Sequence, residues 1–226
     1  MDCLWCNKQI IQEISWENIF MLPKPQLLCK ECVGHLVFIQ DNRCNQCSRI
    51  SEETICADCR QWSEYTLSDS IVFNHSIFSY NPFMKDIVAK WKYRGDYVLG
   101  TVFKQAFIRG YKEKFSFLKK DAVIVPIPLS EERSKERGFN QAKMLADFLP
   151  MKSKAIITRV HGEKQSKKTR SERIFAENPF LVTETIHKPV ILVDDIYTTG
   201  ATLRHAGSLL KAHGCPKVYA FTLIRG

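Results

Sequence analysis

The stretch VILVDDIYTTGAT, residues 190–202, decides the fold of this 226-residue chain. Four apolar residues lead directly into the adjacent carboxylates of Asp194 and Asp195, and a Thr-Thr-Gly turn follows. The apolar run predicts a buried strand, and a helix is expected from Thr202 to about His213. Because ligands of open parallel sheets bind at the carboxyl ends of the strands, the two aspartates mark a candidate site.

The rest of the chain from residue 68 onward alternates between strand and helix patterns. In chain order, the predicted elements are one or two strands with an Asn-His turn over 68–80, amphipathic helices over 83–93 and 97–111 with a break at 95–96, a strand over 122–128, a helix over 140–149, and strands over 155–160 and 217–224. Alternation of this kind predicts an α/β fold with a doubly wound, mostly parallel sheet.

Eight of the nine cysteines lie in the first 59 residues as four CxxC pairs: Cys3/Cys6, Cys29/Cys32, Cys44/Cys47 and Cys56/Cys59. In a chain without a secretory signal, such pairs favour metal over disulfides. A tetrahedral zinc ion needs two pairs, so consecutive pairing predicts two four-cysteine sites, while an interleaved cross-brace stays open. We expect a structural, double zinc-ribbon-like module at residues 1–62, in which Trp5, Trp16 and Trp62 pack, and a larger domain at 63–226.

The net charge of +9 is unevenly distributed along the chain. Residues 1–60 hold 6 Lys and Arg against 8 Asp and Glu, whereas residues 61–226 hold 27 against 16. An anionic partner is therefore expected mainly on the larger domain, and it is either nucleic acid or a small phosphorylated ligand. The sequence has no run of 18 apolar residues and no signal-peptide pattern, so we expect a cytoplasmic protein without membrane insertion.

Two interpretations compete for residues 194–202. In the first, the aspartates only meet solvent and cap the next helix. In the second, the N–H groups of the turn and of the helix N-terminus bind a 5′-phosphate, while the carboxylates accept hydrogen bonds from ribose hydroxyls. The second interpretation accounts for two adjacent carboxylates before a turn of small hydroxylated residues, and it predicts a phosphoribose site.

The same stretch resembles the 5-phosphoribosyl-1-pyrophosphate (PRPP) signature of type I phosphoribosyltransferases. Together with KYRGD (92–96), VPIPLSEERSKERGFNQAKMLA (125–146), QSKKTRSER (165–173) and the cysteine pairs, it makes nearly the whole chain similar to the ComF family of late competence proteins. The resemblance implies that Asp194 and Asp195 hold the ribose hydroxyls of PRPP, which binds together with Mg²⁺. It also implies a cradle for the 5′-phosphate, formed by Thr198, Thr199, Gly200, Ala201 and Thr202.

A further group of residues is implied to contact pyrophosphate or a nucleic-acid backbone, namely Arg133, Arg137, Arg159, Lys167, Lys168, Arg170 and Arg173. Five of them lie in the segment 159–173, which contains six Lys and Arg residues and two Glu residues. The competing interpretation of this segment is a solvated surface loop without a ligand. The chain departs from the family pattern at Ala176, where Asn is frequent. It also departs at Thr198, where purine-using relatives often have an Asp base, and this argues against a purine enzyme.

The resemblance implies a competence protein of natural transformation that binds single-stranded DNA and PRPP–Mg²⁺ and assists DNA uptake with a helicase-like partner. The alternative is an active phosphoribosyltransferase of nucleotide or base salvage, and a third interpretation is a PRPP sensor without turnover. The sequence identifies neither a catalytic residue nor an acceptor. Whether the chain is an enzyme therefore stays open at this point, as does its oligomeric state.

Overall fold

A four-stranded parallel sheet forms the centre of the computed structural model, which describes residues 1–11, 26–40, 42–64, 67–93, 96–118, 121–159 and 178–226. The strands in this part of the chain are β1 Asn74–Ser79, β2 Val123–Pro126, β3 Ile157–Arg159, β4 Phe180–Val182, β5 Val190–Tyr197 and β6 Val218–Arg225. The central sheet has the order β1-β6-β5-β2, and every neighbouring pair in it is parallel. The predicted parallel α/β fold is confirmed.

Helices cover both faces of this sheet. Within the described residues they are α1 Lys30–Gly34, α2 Ala57–Trp62, α3 Pro82–Tyr93, α4 Lys104–Phe115, α5 Glu131–Arg137, α6 Gln141–Asp147 and α7 Ala201–Ala212. Side chains of α3, α4 and α6 share one core with Ile191 and Val193, whereas α7 shares the other core with Val190 and Leu192. The uninterrupted apolar run thus supplies both faces of a central strand. None of the described helices is long and apolar enough to cross a membrane.

β5 extends further beside one neighbour than beside the other. β2 ends at Pro126, opposite Val193, so Asp194 and Asp195 lie just beyond the end of β2. Beside β6, however, β5 continues as far as Tyr197. The two aspartates are therefore held in regular strand geometry by one neighbour while their other flank is open.

Helix ends follow the sequence signals closely. Asn81 precedes α3, and its side-chain oxygen accepts a hydrogen bond from the backbone N–H of Met84 at 2.7 Å. Asn140 caps α6 in the same way by accepting hydrogen bonds from two backbone N–H groups. After α7, Gly214 has a left-handed φ of 92°, which is the conformation expected of a glycine that ends a helix.

Three elements differ from the sequence predictions. The Asn-His pair at 74–75 lies inside β1, opposite Ala220 and Phe221 of β6, and not in a turn. Residues 97–103 form a 3₁₀ helix before α4, where an α-helix was expected. The strand predicted over 155–160 exists as β3, but it pairs antiparallel with β4 in a separate two-stranded sheet. Of the three β3 residues only Ile157 is buried, so β3 lacks the two apolar faces of a central strand.

Short segments run along both edges of the central sheet. On the β1 edge, residues 37–39 pair antiparallel with the strand, and the backbone N–H of Ile39 donates to the carbonyl of Ile77 at 2.9 Å. On the β2 edge, the backbone N–H of Lys154 donates to the carbonyl of Ile124 at 2.8 Å. The contact at residues 37–39 joins the cysteine-rich N-terminal segment to the sheet by backbone hydrogen bonds.

Candidate functional site

A cavity of about 270 Å³ opens at the carboxyl ends of β2 and β5. This is the place at which the paired aspartates predicted a ligand site, and both of them line the cavity. The other lining residues are mainly charged, amide or hydroxylated, and they include Lys92, Arg133, Arg137, Gln141, Arg159 and residues 196–203. The cavity therefore has the composition expected for a polar, phosphorylated ligand.

Asp195 pairs with a lysine from a distant helix. The ammonium of Lys92, near the end of α3, forms an ion pair with the Asp195 carboxylate, and the two side chains are 12% and 13% exposed. Burial opposes ionisation of Asp195, but the charge and the hydrogen bond of Lys92 outweigh it and hold the pKa of this carboxyl below its ordinary value. Asp195 is therefore a carboxylate at neutral pH.

Asp194 has the opposite electrostatic character. Burial first, and repulsion by the charged Asp195 second, raise the pKa of Asp194 to about 7. Its Oδ1 accepts a hydrogen bond from the backbone N–H of Asp195 at 2.8 Å. One strand end thus carries one ionised carboxylate and one that exchanges a proton near neutral pH, and the oxygens of such a pair can accept hydroxyl hydrogens or bind a hard cation.

The turn from β5 into α7, residues 198–202, is called the threonine loop here. Gly200 has a left-handed φ of 83°, and a Cβ atom added to it would lie 2.1 Å from the hydroxyl oxygen of Tyr197. A larger residue therefore does not fit without displacing Tyr197. The Thr199 hydroxyl accepts a hydrogen bond from the backbone N–H of Ala201 at 3.3 Å. The start of the 12-residue α7 brings partial positive charge to the same side of the cavity.

Three arginines supply positive charge around the cavity. Arg133 and Arg137 belong to α5, and Arg159 ends β3. Burial and the neighbouring charge of Arg133 lower the pKa of Arg159, while the nearby Asp194 acts against this shift. Cations that repel one another around a cavity are stabilised when an anion binds between them.

Arg137 and Gln141 form a hydrogen-bonded pair on the cavity wall. Nη1 of Arg137 donates to Oε1 of Gln141 at 3.0 Å. Gln141 is only 1% exposed, and among the described residues neither its Nε2 nor the Nε of Arg137 has a hydrogen-bond partner. Both nitrogens are buried in the cavity wall, and the hydrogen bond between the two side chains holds them together there.

The structure brings together most, but not all, of the residues that the sequence singled out. Asp194, Asp195 and the whole threonine loop line one cavity with Arg133, Arg137 and Arg159. The remaining four predicted contacts, Lys167, Lys168, Arg170 and Arg173, lie outside the described residues. Lys92 and Gln141 were missed as site residues, although each belongs to a motif that carries the family resemblance, KYRGD and RGFNQ.

The eight N-terminal cysteines form two separate tetrads. The outer centre is Cys3, Cys6, Cys29 and Cys32, the inner centre is Cys44, Cys47, Cys56 and Cys59, and within each centre the sulfur atoms lie within 4.8 Å of one another. The sulfurs of Cys6 and Cys29 are 3.7 Å apart, and those of Cys47 and Cys56 are 3.6 Å apart. A tetrahedral zinc ion with bonds of about 2.3 Å places its sulfur ligands roughly 3.8 Å apart. Both tetrads can hold a metal ion, and the pairing is consecutive.

The inner centre adjoins the threonine loop. α2 contains Cys59 and ends at Trp62, whose indole N–H donates to the carbonyl of Thr199 at 2.9 Å. The prediction that Trp62 packs within the small module is wrong, because its ring lies against Ala201 at the start of α7. Trp5 does pack beside the outer centre, and residue 16 lies outside the described residues.

Comparison with known proteins agrees with this architecture. The phosphoribosyl transferase domain family matches residues 134–226. Competence protein ComFC of Bacillus subtilis (strain 168) is 38% identical, with 99% of this chain and 94% of that protein aligned. Competence protein ComFC of Streptococcus pneumoniae (strain ATCC BAA-255 / R6) is 32% identical, with 100% of both chains aligned.

Solved structures are more distant. A hypoxanthine phosphoribosyltransferase from Staphylococcus aureus is 17% identical over 62% of this chain and 64% of its own, with a TM-score of 0.29, which is too low to carry an argument. The curated relatives are decisive, because identity above 30% extends over the whole chain. The chain belongs to the ComFC family of competence proteins, with a phosphoribosyltransferase domain behind a cysteine-rich N-terminal segment.

Proposed function

We propose that this chain is a DNA-handling protein of natural transformation that binds PRPP–Mg²⁺ in the cavity and single-stranded DNA at the rim of the cavity. In this proposal it acts in the cytoplasm, on the inner side of the membrane, with a helicase-like partner. One observation carries the ligand part: paired aspartates, a threonine loop at a helix N-terminus and three arginines line the same cavity.

Each part of PRPP has a matching group in the cavity. Asp194 and Asp195 accept hydrogen bonds from the ribose hydroxyls, and the threonine loop holds the 5′-phosphate. Arg133, Arg137 and Arg159 line the same cavity and are proposed to contact the pyrophosphate. Mg²⁺, when it is bound with PRPP, neutralises part of the pyrophosphate charge and takes oxygen ligands, which the two carboxylates can supply.

The rim of the cavity supports the proposed binding of single-stranded DNA. Tyr93 is 59% exposed, and the guanidinium of Arg137 lies 5.3 Å from the centre of its ring. Exposed rings beside cations suit the binding of single strands, because bases stack on the rings while the cations contact the backbone. The basic segment 159–173 is proposed to extend this surface.

The outer and inner centres are proposed to be structural zinc sites. Four sulfurs at tetrahedral spacing match the preference of Zn²⁺ for thiolate ligands. The ions would stabilise a segment that is too small to form a core of its own. We keep residue 62 as the proposed boundary between this module and the phosphoribosyltransferase domain.

An active phosphoribosyltransferase of nucleotide or base salvage remains the second candidate. The observation that favours it is the raised pKa of Asp194, because a carboxyl that titrates near pH 7 can exchange a proton with a reacting group. Release of pyrophosphate from PRPP in the presence of one member of a nucleobase panel would favour the enzyme, and its absence with every base would exclude salvage.

The test of the leading proposal is fluorescence anisotropy of a labelled single-stranded oligonucleotide. We expect binding that weakens linearly on a log–log plot against salt concentration, and that responds to PRPP–Mg²⁺ in the wild type but not in Asp194→Ala/Asp195→Ala. Tyr93→Ala is expected to weaken binding about tenfold through loss of stacking. Tyr80→Ala is the matched control, since Tyr80 is 44% exposed but does not line the cavity. Equal effects of the two tyrosine variants would contradict the proposed rim.

A further inference from the structure

We infer that the inner centre positions the threonine loop through Trp62 and Arg225, so that its metal occupancy controls how well the loop binds a phosphate group. The phosphate-binding role of the loop is the one proposed above, and the inference rests on it. Two independent side chains connect the centre to the loop. The outer centre makes neither of these connections in the part of the chain that the structure describes.

The first connection is α2. This helix has six residues, starts directly after Cys56 and contains Cys59. A helix this short is not stable alone, so its position would depend on a metal ion that joins Cys56 and Cys59 to the other two cysteines of the centre. Trp62 at its end donates to the carbonyl of Thr199 at 2.9 Å, and the guanidinium of Arg204 lies 4.6 Å from the indole ring. Trp62 is 2% exposed, so this hydrogen bond is shielded from water.

The second connection is Arg225 at the end of β6. Its Nη2 donates to the sulfur of Cys47 at 3.7 Å, and its Nη1 donates to the carbonyl of Thr198 at 2.9 Å. The same guanidinium lies 5.0 Å from the ring centre of Tyr197, the residue that forbids a side chain at Gly200. Arg225 is 5% exposed. One buried cation thus contacts a thiol of the centre and the backbone of the loop.

These contacts fix the loop backbone from behind. The carbonyls of Thr198 and Thr199 are bonded to Arg225 and Trp62, neither of which lines the cavity. A trans peptide unit places its N–H group opposite its carbonyl, so these bonds also fix the direction of the two N–H groups that follow. A loop held in this way has its donors oriented before a phosphate arrives, so less conformational entropy is lost on binding. Trp62 and Arg225 are therefore positioning residues, and neither lines the cavity.

The test compares Trp62→Phe with Trp5→Phe, which alters a tryptophan beside the outer centre. Phenylalanine keeps an aromatic ring and loses the indole N–H. Three quantities are measured: amide hydrogen exchange of a peptide covering 197–204, the dissociation constant for PRPP–Mg²⁺ by calorimetry, and the zinc content. For Trp62→Phe we expect exchange and the dissociation constant to rise about fivefold, the effect of one shielded hydrogen bond, with unchanged zinc content. Trp5→Phe is expected to leave all three unchanged.

The exchange measurement separates this inference from the proposed function, because it needs no ligand. If exchange rises in Trp62→Phe but the wild type does not bind PRPP, the connection stands and the proposed ligand is wrong. If the wild type binds PRPP and Trp62→Phe matches it in exchange and affinity, the connection is wrong. Cys56→Ser adds a second arm, in which loss of the inner metal is expected to raise exchange of 197–204 more than Cys29→Ser at the outer centre does.

Discussion

The outer and inner centres have the same CxxC motif but very different surroundings. All four inner cysteines are buried, and they belong to the same core as β5 and α7. In the outer centre only Cys3 and Cys32 are buried, and the cluster around them meets the rest of the chain through Phe83 and Val102. The motif determines how a metal is held, whereas the neighbours determine what the metal stabilises. The inner centre packs into the core that contains β5 and α7 and adjoins the candidate site, whereas the outer centre packs in a smaller cluster of its own.

Hydrogen bonds explain why the inner centre is so closely integrated. Asn74 of β1 is buried, and its Nδ2 donates to the carbonyl of Cys47 at 3.3 Å and to the hydroxyl of Ser76 at 2.8 Å. The Ser76 hydroxyl in turn lies 2.7 Å from that of Thr222 in β6. The centre is therefore bonded to two strands of the sheet through a buried polar network, and disturbing one member leaves the others unpaired.

The largest expected effect comes from removing one centre at a time. In Cys47→Ser/Cys56→Ser we expect the free energy of unfolding to fall by about 5 kcal/mol or more, because metal binding and core packing are lost together. In Cys3→Ser/Cys6→Ser we expect about half of that loss. Urea denaturation followed by circular dichroism measures both. Equal losses in the two variants would remove the distinction between the centres.

The second prediction compares two glycines with left-handed backbones. Gly200→Ala is expected to destabilise the protein by about 3 kcal/mol and to abolish PRPP binding, because the new Cβ collides with Tyr197. Gly138 has a φ of 75°, but an added Cβ meets nothing within 4 Å. Gly138→Ala is therefore expected to cost only about 1 kcal/mol, the conformational part alone. Thermal unfolding checks the stabilities, and similar losses would show that Tyr197 moves aside easily.

The third prediction concerns the pH dependence caused by Asp194. Its pKa of about 7 in the folded state lies above its unfolded value, so the folded protein binds the proton more tightly. Stability is therefore lost as pH rises from about 4 to about 7. Asp194→Asn removes this loss, and we expect it to be more stable than the wild type at about pH 8, by on the order of 4 kcal/mol, and similar near pH 4.

Thermal unfolding of the ligand-free protein across this pH range measures the effect. Asp86→Asn, at an exposed position on α3, is the control and should follow the wild type. The same Asp194→Asn variant is expected to lose PRPP affinity. Asp194 would then lower the stability of the protein near neutral pH and at the same time contribute to ligand binding. A constant difference between variant and wild type at every pH would contradict the assignment of the raised pKa to Asp194.

The smallest effect is expected at the surface of the outer centre. Lys8 and Glu31 form an ion pair at 2.6 Å, but their side chains are 63% and 65% exposed. Water and salt screen such a pair, so Lys8→Met should leave the melting temperature within experimental error. A clear drop would mean that the outer centre depends on its surface charges, and the contrast with the inner centre would then need revision.

The predictable features of this molecule are those that short stretches encode. The four cysteine pairs follow from the CxxC spacing, and β5 with its aspartates follows from one apolar run. The structure, and not the sequence, shows that consecutive pairs combine into tetrads. The alternation of strands and helices was enough to predict a parallel sheet. The strand order β1-β6-β5-β2 became known only from the structure.

Contacts between distant segments were not predictable. Trp62 meets Thr199 across 137 residues, and Lys92 meets Asp195 from a separate helix. Nothing local to either residue signals its partner, because tertiary packing alone brings the two segments together. The pKa difference between two adjacent aspartates is hidden for the same reason, since it depends on where Lys92 lies.

The segments along the two sheet edges limit how a protein partner can attach. Residues 37–39 occupy the outer side of β1, and the backbone at Lys154 bonds to β2 on the other side. An open edge strand offers unpaired N–H and C=O groups that a second chain can extend by strand addition. Here both outer strands of the central sheet are partly closed by their own chain, so along these two edges a partner would meet mainly side chains. A partner would therefore be identified by surface chemistry, and single surface substitutions should be able to break the complex without unfolding the sheet.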